Sequence, residues 1–170
     1  MTATIEHPAT PDIVEWRESY RTGVAEVDQE HQRLFALVHA LDLDTVQQAV
    51  DDLLDYVVTH FTNEQDLMEK SGYPAFEQHL KLHEEFAGQV AAFLQGDVQW
   101  TDDRVQVLRH FLNKWLSGHI MTHDLRFGTW HAAQLAHGGS AELATTRPSG
   151  FFARLFGSRL HGGADRSAHP

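Results

Sequence analysis

Four stretches of the chain place apolar side chains at alternating three- and four-residue intervals, the spacing of a helix that turns one face to a core. The first runs Val27, His31, Leu34, Val38, Leu41, and the second Val46, Val50, Leu53, Val57, His60, Glu64, Leu67. The third reads Phe76, His79, His83, Phe86, Val90, Phe93, and the fourth Val105, Leu108, Leu112, Trp115, His119. Short connections between them predict an all-α, up-down-up-down four-helix bundle. Asp28 is a good N-cap for a first helix ending near Leu41, and Asp44 opens a capping-box pattern for the second. Gly72 suits the end of the second helix and Pro74 the first turn of the third, which runs to about Gln95 before Gly96. Thr101, Asp102 and Asp103 favour the start of the fourth, where negative charge meets the positive end of the helix dipole. Ahead of the bundle, residues 1–25 read as an extended arm with Pro8, Pro11, Trp16, Tyr20 and Gly23, its aromatics docking on the helices. The bundle is expected over residues 26–137, followed by a linker and tail over 138–170.

Near one end of each seam a side chain able to bind metal stands where an apolar one belongs. An unpaired buried carboxylate costs several kcal/mol unless something positive compensates it. A metal cluster is the simplest compensation. In the up-down-up-down order, His31, His60, Glu64, His79, His83 and His119 all fall at the same end. His60 lies 12 residues before Gly72 and His83 lies 11 after, while Glu64 and His79 lie 8 before and 7 after. At about 1.5 Å rise per residue each pair shares nearly one height. Both His60/Glu64 and His79/His83 are spaced i, i+4, so each pair projects from one helical face.

Composition narrows the chemistry. The 170 residues fit one domain, and the absence of cysteine leaves nitrogen and oxygen ligands only. The N-terminal residues lack a basic start and an apolar run, so a cytoplasmic protein without a secretory signal is expected. A net charge of −11 argues against a general nucleic-acid binder. Thirteen histidines equal the Lys plus Arg count, and only some fall on the seams. His7, His161 and His169 lie in polar ends, His110 faces away from His119, and His39, His131 and His137 lack a partner at helical spacing. All are expected to be non-ligands. Beyond residue 138 the charge balance turns positive, with four Arg against two acids. Residues 151–160, aromatic and basic, read as a docking peptide for a protein partner or an anionic membrane surface.

The fourth seam leaves one ligand open. Asp124 follows His119 by five residues, about 140° away on a regular helix, whereas His123 at i+4 has the better regular geometry. Asp124 ligates through a local widening of the helix, or from beyond its end, or His123 takes its place.

His31, His60-x3-Glu64, His79-x3-His83 and His119-x4-Asp124 together resemble the seven-ligand pattern of the hemerythrins, specifically the single-domain bacteriohemerythrins. Trp16, Tyr20, Gly23, Val24 and Asp28 before His31, Gly72-Tyr73-Pro74, and Trp115-Leu116 before His119-Ile120 extend the likeness over roughly residues 14–130. The resemblance favours Asp124 over His123. It implies two iron ions joined by an oxo or hydroxo bridge and by the carboxylates of Glu64 and Asp124. One iron would take His79, His83 and His119, and the other His31 and His60 with one position open. O2 would bind there reversibly, both irons passing from ferrous to ferric. Five imidazoles and two carboxylates suit borderline divalent metals without selecting iron, so iron comes from the resemblance alone. Phe61, Trp115, Leu116 and Ile120 are the expected apolar lining of the O2 pocket, with Leu116 nearest. No acid or base beyond the ligands stands beside the site, which favours O2 storage, delivery or transport over enzymatic turnover. The alternatives are an O2- or redox-sensing signalling module and a di-iron enzyme acting on peroxide or nitric oxide. The short Leu41–Asp44 connection and the tail depart from the family pattern, both away from the ligands.

Overall fold

A computed structural model describes residues 15–96 and 99–138 of the chain. Pro8 and Pro11 of the arm, His7, His161, His169 and the docking segment 151–160 lie outside those residues. The fold is an all-α four-helix bundle: α1 Ala25–His39, α2 Val46–Ser71, α3 Phe76–Phe93 and α4 Asp102–His119. Helix α4 passes through a π-helical turn, Ile120–Asp124, into α5, Leu125–Ala136. The backbone stays right-handed helical through both junctions. No helix among the described residues is long and apolar enough to cross a membrane.

Helix α1 packs on α2 and α4, and α2 packs on α3. Helices α3 and α4 meet through rings, Phe86 stacking on Phe111 at 5.9 Å and on Trp115 at 4.0 Å between centroids. The expected seams are the buried faces, from Val27, Leu34 and Val38 to Val105, Leu108 and Leu112. At the seam ends the register slips by one residue. Met68 is buried rather than Leu67, and Leu94 rather than Phe93, because 3.6 residues per turn lets a three-four pattern drift.

Helix boundaries correct three expectations. Helix α1 opens at Ala25, so Asp28 is not its N-cap but lies in its first turn. Its carboxylate instead accepts from Thr22 N at 2.7 Å, Thr22 Oγ1 at 2.8 Å and Gly23 N at 3.2 Å, fixing the chain as it enters the helix. Asp44 likewise caps nothing: α2 begins at Val46 with no side-chain cap, the preceding turn being held by Asp42 Oδ1 accepting from Asp44 N. Pro74 sits in the turn just before α3 rather than in its first helical turn. Gly72, at φ 71°, ends α2 as expected, since a left-handed backbone there favours glycine. Thr101 caps α4 by accepting from Arg104 N. Arg104 and Arg109 then tie loose ends: Arg104 donates to Phe93 O at the end of α3, and Arg109 to Leu41 O after α1.

The arm docks as expected. Tyr20 stacks on Phe35 at 5.5 Å and Trp16 meets Phe35 edge-on at 6.3 Å. Two apolar clusters result. The larger fills the bundle from Leu41 to Phe61 and Ile120, and a smaller one, Met68, Tyr73 and Phe127, closes the opposite end. Phe127 comes from α5, so the helix beyond Asp124 supplies part of that lid.

Candidate metal centre

Between the two apolar clusters lie seven buried polar side chains. His31, Glu64, His83 and Asp124 are fully inaccessible, His60 and His79 nearly so, and His119 is 6% exposed. They arrive from all four helices and the π turn: His31 from α1, His60 and Glu64 from α2, His79 and His83 from α3, His119 from α4. Asp124 reaches them because the π turn spans five residues and returns it to the face of His119. Its Oδ1 lies 3.1 Å from His119 Nε2. Of the three geometries open to the sequence, local widening of the helix is the one adopted. His123 is half-buried with its ring 5.2 Å from that of His119 and 6.3 Å from that of His79, and it joins neither group of clustered ligand atoms.

The side chains form two groups that share their carboxylates. Glu64, His79, His83 and His119 offer ligand atoms within 4.8 Å of one another, and so do His31, His60 and Glu64. Asp124 spans the same gap, Oδ2 lying 3.2 Å from His31 Nε2 while Oδ1 faces His119 and, at 3.5 Å, His79. Glu64 Oε2 is 3.1 Å from His79 Nε2 and 3.5 Å from His83 Nε2.

Unsatisfied atoms test whether this arrangement fits metal. Nε2 of His79, His83 and His119 form a triangle with sides 3.0, 3.0 and 3.2 Å. Three nitrogens facing each other cannot all be served by protons shared among them. An octahedral face built on metal–nitrogen bonds of about 2.1 Å has edges of about 3.0 Å. Both nitrogens of His31, Oε1 of Glu64 and both oxygens of Asp124 are buried without a hydrogen-bond partner. Native interiors leave few such atoms, and each asks for an explanation. Two cations between the groups would supply one.

The metal-free electrostatics agree. Burial, then the charge of Asp124, push Glu64 up to about 8. Burial also raises Asp124, but His119 and His31 outweigh it and hold that carboxyl well below its usual range. Burial, with His119 and His79 adding to it, drives His83 well below the ordinary imidazole value, and burial lowers His79. Neutral imidazoles with free lone pairs are the form a metal takes.

A family model described as "Hemerythrin HHE cation binding domain" matches residues 22–130. The chain belongs to the hemerythrin family. A bacteriohemerythrin of Stenotrophomonas maltophilia is 29% identical over 130 residues, 72% of this chain and 84% of its own. A hemerythrin-like protein of Naegleria gruberi is 31% identical over 69% of this chain and 92% of its own, and hemerythrin subunit 1 of Golfingia vulgaris 32% over the same shares. Hemerythrin domains bind a di-iron centre and oxygen, and the His/Glu clusters of this hemerythrin chain are able to hold metal.

An apolar cavity of about 20 Å³ lies in the bundle core, lined by Leu34, Val38, Leu53, Val57, Phe61, Phe86, Leu112, Trp115 and Leu116, none of them one of the seven polar side chains. Phe61, Trp115 and Leu116 are thus on its wall. Ile120 is fully buried but is not among the lining residues. Phe61 stacks on His83 at 3.6 Å and Trp115 on His119 at 4.4 Å, packing two imidazoles in place. Of the histidines expected to stand aside, His39, His110 and His137 are exposed and His131 is half-buried against Phe127.

Two functional-looking contacts escape the sequence pattern. Glu30 accepts from His60 Nδ1 at 2.8 Å, and Gln65 lies 3.4 Å from His83 Nδ1. Glu30 reads as a solvated helix position because its partner stands on another helix, and Gln65 is masked by the stronger signal of Glu64 beside it. Asp28, legible only as a cap, is the anchor of the Thr22–Gly23 turn.

Proposed function

We propose that the chain binds O2 reversibly, for storage, delivery or transport, at a di-iron centre bridged by an oxo or hydroxo group, and is not an enzyme. Residues 26–137 form the O2-binding bundle, with 1–25 as its arm and 138–170 as a separate tail. His79, His83 and His119 hold one iron, His31 and His60 the other, and Glu64 and Asp124 join the two. When bound, the irons supply the electrons that O2 takes up and recover them when it leaves. The chain's own residues hold the ligands in place, exclude water and present an apolar approach.

The observation that carries this reading is the apolar cavity whose wall includes Phe61 and Trp115, the rings that stack on His83 and His119. Each of its lining side chains is hydrocarbon or aromatic, and none carries an acid or base. O2 is favoured there over water, and nothing on that wall delivers a proton that would commit bound O2 to further reduction. Phe61, Trp115 and Leu116 belong to the cavity wall, and Ile120 to the same buried apolar cluster without lining the cavity. The lack of an acid or base on this wall supports carriage over peroxide or nitric oxide chemistry.

Mixing the reduced, iron-loaded protein with O2 tests the proposal. A visible charge-transfer band that appears with O2 and fades under vacuum is expected, over repeated cycles. One-way conversion to the ferric form would favour sensing or catalysis instead. The proposal also takes the protein to be cytoplasmic and not to bind nucleic acid, and gives residues 151–160 to docking on a protein partner or an anionic membrane surface. Deleting 138–170 should abolish that docking and leave O2 binding intact; unchanged localisation and partner recovery would count against it.

A further inference from the structure

Among the described residues, two of the five imidazoles have a side-chain partner on Nδ1, the nitrogen turned away from the cluster, and the partners differ in charge. His60 Nδ1 donates to Glu30 Oε2 at 2.8 Å, while Glu30 Oε1 accepts from Asn63 Nδ2 at 2.6 Å. The Glu30 side chain is only 15% exposed, so solvent screens it weakly. His83 Nδ1 faces instead the neutral amide of Gln65, buried and 3.4 Å away. His31 Nδ1 has no partner. The two groups of ligands, matched in element type, are therefore unmatched in what stands behind them.

We infer that Glu30 sets the two metal positions apart: through His60 it makes the iron held by His31 and His60 the more readily oxidised, and so strengthens O2 uptake. A carboxylate accepting from Nδ1–H draws that proton toward itself and leaves more electron density on Nε2, making His60 the better donor to a metal. A neutral amide does this less. The same hydrogen bond fixes the tautomer, since a carboxylate accepts only from a protonated Nδ1 and so leaves Nε2 free toward the cluster. Binding O2 withdraws electrons from the irons, so a more electron-rich ligand favours the bound form. Glu30 acts through His60 and touches neither O2 nor metal, which makes it a positioning residue.

A competing role is purely structural, Glu30 tying α1 to α2 through Asn63. Glu30→Gln keeps an acceptor and the shape but removes the charge, whereas Asn63→Ala removes the tie and leaves the charge on His60. Gln65→Glu adds the missing charge behind His83.

The inference rests on His60 and His83 serving different ions, so the test begins with metal. Co(II) titration of the wild type should end at two ions per chain. NMR of that form should show a strongly shifted, exchangeable proton from His60 Nδ1, which Glu30→Gln moves and Asn63→Ala leaves in place. In the iron form, Glu30→Gln should raise the reduction potential and the half-saturating O2 pressure, the latter by about tenfold, within the range for partners of metal-binding histidines. Gln65→Glu should shift both in the opposite direction. Asn63→Ala should stay within about twofold of wild type on both measures. Fewer than two Co(II) in the wild type would overturn the site assignment and this inference together. Two Co(II) with a potential and O2 affinity unmoved in Glu30→Gln, or moved equally in Asn63→Ala, would overturn the inference alone.

Discussion

Gly128 in α5 offers a stability prediction whose sign runs against ordinary helix behaviour. Replacing a mid-helix glycine by alanine stabilises by about 1 kcal/mol through backbone entropy alone. At Gly128, however, an added Cβ would meet Thr22 O at 2.1 Å, the Thr22 carbonyl carbon at 2.9 Å and Thr22 Cβ at 3.0 Å. An ordinary contact requires the two segments to part by about 1 Å, and the closest atom is backbone rather than a pliable side-chain tip. Thr22 cannot give way alone, because Asp28 holds Thr22 N, Thr22 Oγ1 and Gly23 N. Helix α5 is held on its side by Phe127, packed against Met68 and Tyr73. Overpacking of this kind costs about 1–3 kcal/mol, and breaking into the Asp28 turn adds to it. Gly128→Ala should therefore lose about 2 kcal/mol net, a fall in melting temperature of about 6 °C. Gly88 in α3 is the control: nothing lies within 4 Å of its added Cβ, and Gly88→Ala should gain about 1 kcal/mol. Paired urea melts of the two variants and the wild type decide the matter. A Gly128→Ala protein stabilised like Gly88→Ala would refute the close approach of the arm to α5.

Three further outcomes follow from the centre. Without metal, Glu64 is held up to about 8, so the folded chain keeps a proton that the unfolded chain sheds, and stability falls as pH rises toward that value. His79 and His83, both lowered, work in the opposite sense, mainly below their ordinary 6.5 and fading out just above it. Between about pH 7 and 8 the metal-free protein should lose on the order of 1 kcal/mol, seen in urea melts, with no such slope once metal is bound. Leu116→Ala should cost about 2–4 kcal/mol and speed appearance of the ferric form in air, and an unchanged rate would remove Leu116 from the wall. Asp124→Asn should bring iron below two per chain by metal analysis, while His123→Ala should retain both; the reverse result would reassign the ligand.

Much of the bundle was legible because burial and helical period leave the same trace in the sequence. The seam of α2 from Val46 to Glu64 needed only that period, and the common height of Glu64 and His79 followed from counting outward from Gly72. The helix starts were less legible. Asp28 has the right residue type for a cap, yet its carboxylate serves the chain five and six residues behind it, a contact fixed by how the arm folds back. Asp124 could be named only through family likeness, because a residue five places on belongs to no regular helical face. Glu30 and the Met68–Tyr73–Phe127 lid were invisible for another reason: each depends on which helices become neighbours, and periodicity within one helix carries no record of that.

The π turn at Ile120–Asp124 also governs everything C-terminal to it. One surplus residue advances the phase of the following helix by roughly 100°, so the orientation of Phe127 and Gly128 is set by the same insertion that swings Asp124 inward. Deleting a single residue there would not merely withdraw one carboxylate. It would rotate the closing helix as a body, turning Phe127 off Tyr73 and presenting a different edge to Thr22. Ligand geometry and closure of the bundle are thus geared to one local register, and neither can be retuned there without the other.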